Sequence, residues 1–372
     1  MTDQPIDPPT NKLLISTEDL AAPEVSARVA QIQATSGLQM QRTIGTADSA
    51  PVSSARFGRN TLYVTLLGIA GGVAGALFSE LVTGGDHPRW DNPTLVTVVF
   101  TSCYALCLGF ALLLWRGINS GSADQARRDV LMGLPIVVLG GAIGGFAAQQ
   151  IYYPLSEQAT KKALSADTYE EFLKIMSNSL HIPRAIGFML VGIMIGVGLG
   201  VAARSVRRGQ NAVLGGAVGG FIGGYMFDYI SSWIGAESGF VPRLIALTLT
   251  GALIGFAIGL VDDIRRDLWL EIVSGGMAGK QFIVWEERCM IGSDPSCDIT
   301  LIKDPTIAPQ HAVLTRSGAV MRIEVQPGSP MISVDGVSTQ SAVLSGSSMI
   351  QIGGTVLRIG QKSAQLPTFT AT

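Results

Sequence analysis

The sequence predicts an α-helical transmembrane bundle of six spans, arranged as three hairpin repeats, followed by a C-terminal all-β sandwich. Three observations lead there. Only 15% of the residues are charged and the mean hydropathy is +0.38, whereas a soluble domain carries about a quarter charged residues. Six stretches, at about 61–82, 94–115, 130–152, 184–204, 211–234 and 241–261, stay apolar over the roughly 20 residues a helix needs to cross a bilayer. From about residue 268 the pattern shortens to alternating segments of strand length, split by turns.

Residues 1–60 are polar and rich in small residues, Pro and Gln, and read as a disordered cytoplasmic tail. Within it "PEVSARVAQIQ" has the pattern of a short amphipathic helix. The start, "MTDQPIDPPT", lacks the basic flank and apolar stretch of a secretory signal, so internal spans are expected to direct membrane entry. Arg56 and Arg59 precede span one, Arg116, Arg127 and Arg128 follow span two, and Arg204, Arg207 and Arg208 follow span four. Arg265 and Arg266 follow span six. Lys and Arg concentrate in cytoplasmic loops, which predicts a multi-pass inner-membrane protein with both termini in the cytoplasm.

The helical domain, residues 61–262, carries an internal repeat. Span three has "GGAIGGF" with Gly140 and Gly144, span five has "GGAVGGF" with Gly215 and Gly219, and span one has the related "GIAGGVAG". In the even spans, Gly192, Gly196 and Gly200 align with Gly251, Gly255 and Gly259. Residues four apart share a helix face, and glycine there lets two backbones touch where lipid gives no hydrophobic drive. The expectation is close helix packing, with self-association of the chain as a corollary. Leu247 is expected on a lipid-facing surface.

Charge inside a span is costly and usually functional. Glu80 and Asp228 occupy equivalent repeat positions near helix ends, and Gln149 lies within span three. A polar path through them would mean a small channel or transporter; hydrogen bonding within the bundle is the plainer account. Cys103 and Cys107 share a face without a histidine, and the four cysteines have neither zinc-site nor disulfide-framework spacing. No nucleophile–base pair, phosphate loop or HExxH motif is present, so neither an enzyme nor a metal or cofactor site is expected. A net charge of −2 gives no basic field for nucleic acid.

Residues 268–365 read as strands: "LWLEIVSG", "KQFIVW", "RCMIG", "CDITL", "HAVLTRS", "AVMRIEV", "MISVDG", "SMIQIGG" and "TVLRIG", before a short tail at 366–372. "IGSDPSCDITL", then "DPTIAPQHAVL", "VDGV" and "IQIGGTVLRIG" resemble a forkhead-associated (FHA) domain. That family's pattern is an IGR turn, an acidic residue before an Ile-x-Leu strand, a Ser-Arg-x-His-Ala segment and a later Asn-Gly turn. The resemblance implies a phosphothreonine-binding loop end, braced by residues matching Gly292, His311 and Gly336. The ligand positions depart from the family: Ser293 stands for the Arg, Ala308 and Pro309 for Ser-Arg, and Pro330 for an Asn. A dianion needs charge-assisted donors. Phosphothreonine recognition is therefore expected to be weakened or lost, leaving Ser293, Lys303, Thr306, Gln310 and Arg316 as a peptide-binding surface. The functional expectation is a membrane-anchored scaffold or signalling adaptor. Its expected partners are a cytoplasmic protein, phosphorylated or not, the bilayer and a second copy of the chain. About six residues, "DDIRRD", are expected to join span six to the first strand.

Overall fold

The computed structural model describes residues 58–234, 239–317, 320–346 and 348–361. The candidate helix in "PEVSARVAQIQ" lies outside them.

Among the described residues seven helices come first: α1 (Arg59–Thr83), α2 (Pro93–Leu113), the short α3 (Trp115–Ser120), α4 (Ala123–Ala163), α5 (Tyr169–Ala203), α6 (Val206–Ile234) and α7 (Phe240–Arg265). Local chemistry sets their starts. The Asn92 side chain accepts the Thr94 and Leu95 N–H groups with Pro93 at the first helical position. Ser122, Thr168 and Ser205 cap α4, α5 and α6 by accepting the N–H of Gln125, Glu171 and Arg208. Asp263 on α7 serves α1 in the same way, its Oδ2 accepting the Gly58 and Thr61 N–H groups and the Thr61 hydroxyl. Among the described residues, five stretches are long and apolar enough to cross a membrane: Arg59–Thr83, Pro93–Ser120, Ala123–Ala163, Ser179–Ala203 and Phe240–Arg265. Helix α6 includes residues whose side chains lie outside what the structure describes and is not among these five.

The six long helices pack antiparallel in a closed ring, α1–α2–α4–α5–α6–α7 and back to α1, and glycines mark every seam. Odd-hairpin helices use two glycine faces. Gly71 lies on Leu108 of α2, Gly140 on Met194 of α5, and Gly215 and Gly219 on Ile258 and Ile254 of α7. One residue on, Gly72, Gly141 and Gly216 meet α7, α2 and α5: Gly72 abuts Thr248, as Gly68 one turn earlier abuts Gly251, Gly141 abuts Ala105, and Gly216 abuts Gly192. Gly196 lies on Val213, Gly200 on Gly209, Gly255 on Val64 and Gly259 on Thr61. At each of these a Cβ would sit inside contact distance of a neighbouring helix. Gly144 differs, since its nearest neighbour, Leu190 Cβ, would be 3.5 Å from an added Cβ, an ordinary contact.

Side chains fill the ring. Tyr104 on α2 is fully buried, donates its hydroxyl to the Leu247 carbonyl of α7 at 2.8 Å, and meets Phe188 of α5 edge-on. Leu108, Ile195 and Ile254 are fully buried with it. Leu247 is also fully buried, which corrects its expected lipid-facing place. Its helix is apolar all round, so periodicity alone did not separate the two faces. The stretch between spans three and four is not an open loop: α4 and α5 run on to 163 and back from 169, through Pro154 and Pro183.

Eleven strands follow: β1 (Leu268–Ser274), β2 (Gln281–Ile283), β3 (Arg288–Gly292), β4 (Ile299–Thr300), β5 (Ala312–Ser317), β6 (Val320–Val325), β7 (Ile332–Val334), β8 (Val337–Thr339), β9 (Ser341–Leu344), β10 (Met349–Ile352) and β11 (Thr355–Gln361). They form two sheets, β2-β1-β11-β10-β7-β8 and β4-β3-β5-β6-β9. Alternate residues meet between the sheets, with Leu270, Ile272, Ile291, Ile323, Ile350 and Leu357 fully buried. Helix α7 runs through "DDIR", so only residues 266 and 267 separate it from β1, against the six expected. The sandwich rests on the arginine-rich helix ends. Asn119 donates to the Gln281 carbonyl at 3.2 Å, Arg128 to the Pro295 carbonyl at 3.1 Å, and Ser205 to Glu286.

Candidate functional site

The loop end of the sandwich is formed by residues 293–298 between β3 and β4, residues 301–311 between β4 and β5, and residues 326–331 between β6 and β7. Gly292 ends β3 directly against the Pro309 carbonyl, where any side chain would collide. That approach lets the first two loops join. Ser293 donates its N–H to the Ala308 carbonyl and its hydroxyl to the Ile307 carbonyl, both at 3.0 Å. Asp294 donates its N–H to the Pro309 carbonyl at 3.0 Å. The Cys297 thiol, pushed up to about 11 by burial, stays protonated and points at the same carbonyl, 3.2 Å away.

His311 braces the second loop from within. It is fully buried, and its Nδ1 accepts the Ala308 N–H at 3.0 Å. Nε2 is buried facing the Pro330 carbonyl without a hydrogen bond of ordinary geometry. Burial lowers its pKa, against a smaller opposing pull from the Pro330 carbonyl and Asp304. The neutral ring is thus the folded form. Gly336 follows Asp335 in the β7–β8 turn, and both have positive φ, +86° and +50°. Nothing lies near a Cβ at Gly336, so conformation rather than space calls for glycine there.

Asp304, which sequence reading passed over, joins this end together. Its Oδ1 accepts the Thr306 hydroxyl and N–H, and its Oδ2 accepts the Gly354 N–H at 2.8 Å and the Thr355 hydroxyl at 3.1 Å. Burial works against the charged form, but these donors outweigh it and hold the pKa below the usual carboxylate value. Asp294 is also held low, chiefly by hydrogen bonds from Ser296. The end therefore carries the carboxylates of Asp294, Asp298 and Asp304, and the Ser293, Asp294, Thr306 and Ala308 donors are engaged internally. The "DPT" spacing is an Asx-turn signal that could have located Asp304.

Among the expected surface residues, Ser293 is partly covered at this end, while Lys303, Thr306 and Gln310 are exposed there. The structure does not bring Arg316 to them. It lies near the far end of β5, its N–H bonded to the Glu287 carbonyl, five residues and about 17 Å of strand from His311.

The polar residues of the bundle are scattered. Glu80 pairs with Arg243 through Nε at 2.6 Å and Nη2 at 3.3 Å, and Arg243 also holds Asp86 at 2.7 Å. Arg243, the lone basic residue in "FVPRLIALTL", was the overlooked signal. Gln149 accepts the Thr97 hydroxyl at 3.0 Å. The Asp228 side chain lies outside what the structure describes. Among the described residues no group of His, Cys, Asp and Glu could hold a metal ion.

Residues 271–363 match the family model described as "Inner membrane component of T3SS, cytoplasmic domain". No curated protein matches the chain. Similar solved structures include the FHA domain of the CT664 protein from Chlamydia trachomatis, 23% identical, covering 26% of this chain and 99% of that one, with a TM-score of 0.25. The cytoplasmic domain of the T3SS sorting platform protein PscD from P. aeruginosa is 23% identical, covering 27% and 85%, with a TM-score of 0.24. A domain from a study of phosphothreonine-dependent FHA interactions is 16% identical, covering 26% and 98%, also with a TM-score of 0.24. The chain joins several membrane-length helices to a β-sandwich that, over residues 271–363, is similar to the cytoplasmic domain of a T3SS inner-membrane component.

Proposed function

We propose that the chain is a non-catalytic scaffold of the inner membrane. In this reading its FHA-like domain binds a cytoplasmic protein partner without needing phosphothreonine. The observation that carries the reading is the internal use of donors at the loop end, beside the carboxylates of Asp294 and Asp304. A phosphate dianion arriving there would meet like charge and donors already spent. Lys303, Thr306 and Gln310 remain exposed for a partner of other chemistry.

The helical domain is the anchor, with six spans and both termini cytoplasmic. Two features support this. Ala203 and Val206 are joined by a tight turn with Gly200 against Gly209, so α6 returns along α5. The sandwich and the arginine-rich helix ends share one side. The recurrence of the two glycine faces in α1, α4 and α6 supports three hairpin repeats, with glycine as the packing device. Buried Tyr104, Leu108, Ile195, Leu247 and Ile254 favour an anchor over a conduit. The test is ion flux through the full chain reconstituted in liposomes. The scaffold reading expects none; a current that Glu80→Gln or Gln149→Leu alters would replace it with a channel.

A further inference from the structure

Where the sandwich meets the helix ends there is a cavity of about 140 Å³. That is on the order of ten times the least space one water needs. Its walls come from the start of α1, from α3, from the α5–α6 turn, from the end of α7, and from β2 with the β2–β3 loop. Arg116 and Arg266 on the wall are paired with Asp129 and Asp263. Among the described residues Arg59, Arg208 and Lys280 form no direct ion pair, although the Arg208 charge acts at longer range on Asp262 and Asp129. No wall carboxylate is in direct contact with them: Glu286 accepts from the Ser205 hydroxyl, and Asp298 accepts the Met290 N–H. Asp262, also on the wall, is buried, and its Oδ1 has no hydrogen-bond donor. The Lys280 ammonium is held below its ordinary pKa by burial and then by Lys303 and Arg59, a crowding of like charge at the same place. Tyr63 and Trp115 stack at 5.3 Å on another part of the wall, with the Arg59 guanidinium 5.6 Å from the Tyr63 ring.

We propose that this interdomain cavity binds a phosphate ester that also carries a hydroxyl, with Arg59, Arg208 and Lys280 holding the phosphate. A buried acceptor lacking a donor matches a ligand hydroxyl, and unpaired cations match an anion. The cavity lies at the level of the helix ends, so the same chemistry has two sources: a glycerophospholipid headgroup from the bilayer, or a nucleotide from solution. Either would tie the sandwich to the bundle, because its contacts come from both.

The experiment uses the full chain in phosphatidylcholine nanodiscs. One arm adds phosphatidylglycerol to the disc and the other adds ATP to the solution; binding is read from the shift in melting temperature with probe concentration. Saturable stabilisation in the first arm identifies a headgroup, and in the second a nucleotide. Arg208→Gln and Lys280→Gln should each weaken binding about tenfold, the scale of one lost charged hydrogen bond. Arg127→Gln removes an exposed charge at the same helix ends but outside the cavity, and should change it less than about twofold. Lys280→Arg should keep most of the affinity, which separates charge from packing. Absence of saturable binding in both arms would overturn the proposal, as would an equal loss in Arg127→Gln. The readout needs no protein partner, so it stands apart from the scaffold reading.

Discussion

Replacing Gly219 by Ala isolates what the glycine seams contribute. An added Cβ would stand 2.6 Å from Ile254 Cα, and nearer still to the Leu253 carbonyl oxygen. Carbon atoms rest at about 3.5–4.0 Å, so α6 and α7 must separate by roughly 1 Å. Overpacking of this kind costs about 1–3 kcal/mol. Alanine also gains up to about 1 kcal/mol over glycine in helix propensity, which would mask part of the cost. Gly144→Ala supplies the correction. It gains the same propensity, but its Cβ would lie 3.5 Å from its nearest neighbour. The difference between the two variants should therefore be the packing term itself, about 1–3 kcal/mol, with Gly144→Ala as stable as the parent or more so. Gly219→Leu should be worse than either, and Leu249→Ile, on an exposed position, near neutral. The assay is thermal melting of the full chain in detergent, followed by intrinsic fluorescence. Equal melting of Gly219→Ala and Gly144→Ala would refute close packing of backbones at that seam.

Other expectations follow from the same contacts. His311→Ala leaves the Ala308 N–H without its acceptor and should destabilise the sandwich by about 1–3 kcal/mol in denaturant titration. Because burial holds the folded pKa of His311 below 6.5, its neutral form contributes stability in full above that value. Stability should fall as pH drops from 6.5 toward the lowered pKa, and His311→Gln should flatten that window. Asp294 and Asp304, both held below 3.8, should matter only at more acid pH, where their protonation removes a second increment. A reporter after Thr372 should behave as cytoplasmic and one at Ala166 as exported; the reverse pattern would reject the topology.

What the sequence disclosed depended on the range of the interaction. Glycines four apart declare a shared helix face, so Gly192, Gly196 and Gly200 were legible as a stripe without any partner in view. Their partners on α6 were not, and neither was the freedom around Gly144, because both depend on how helices register in space. Leu247 was misplaced because α7 has no polar face to orient it. Strands β8 and β9 were unread because "VSTQSAVL" is mostly small and polar, and it is held by a hairpin turn and an edge pairing. At the loop end, the absent family donors were visible at Ser293 and Ala308. The pairs that complete the picture were not: Asp304 acts on Gly354 across 50 residues, and Arg243 on Glu80 across 163. Charges that only tertiary structure brings together leave no local periodicity.

The most direct test of the central claim is fluorescence anisotropy of the full chain in detergent against phosphothreonine peptides and their unphosphorylated forms. Three missing charged contacts at about 1.5–3 kcal/mol each amount to at least a thousandfold in affinity. Repulsion from Asp294 and Asp304 adds to the loss. The account predicts no preference for phosphate, and none restored by Asp304→Asn, since the donors it engages remain inside the fold. A phosphate-dependent complex in the micromolar range, abolished by Lys303→Gln, would contradict it and make the domain a phosphothreonine reader with a relocated cation.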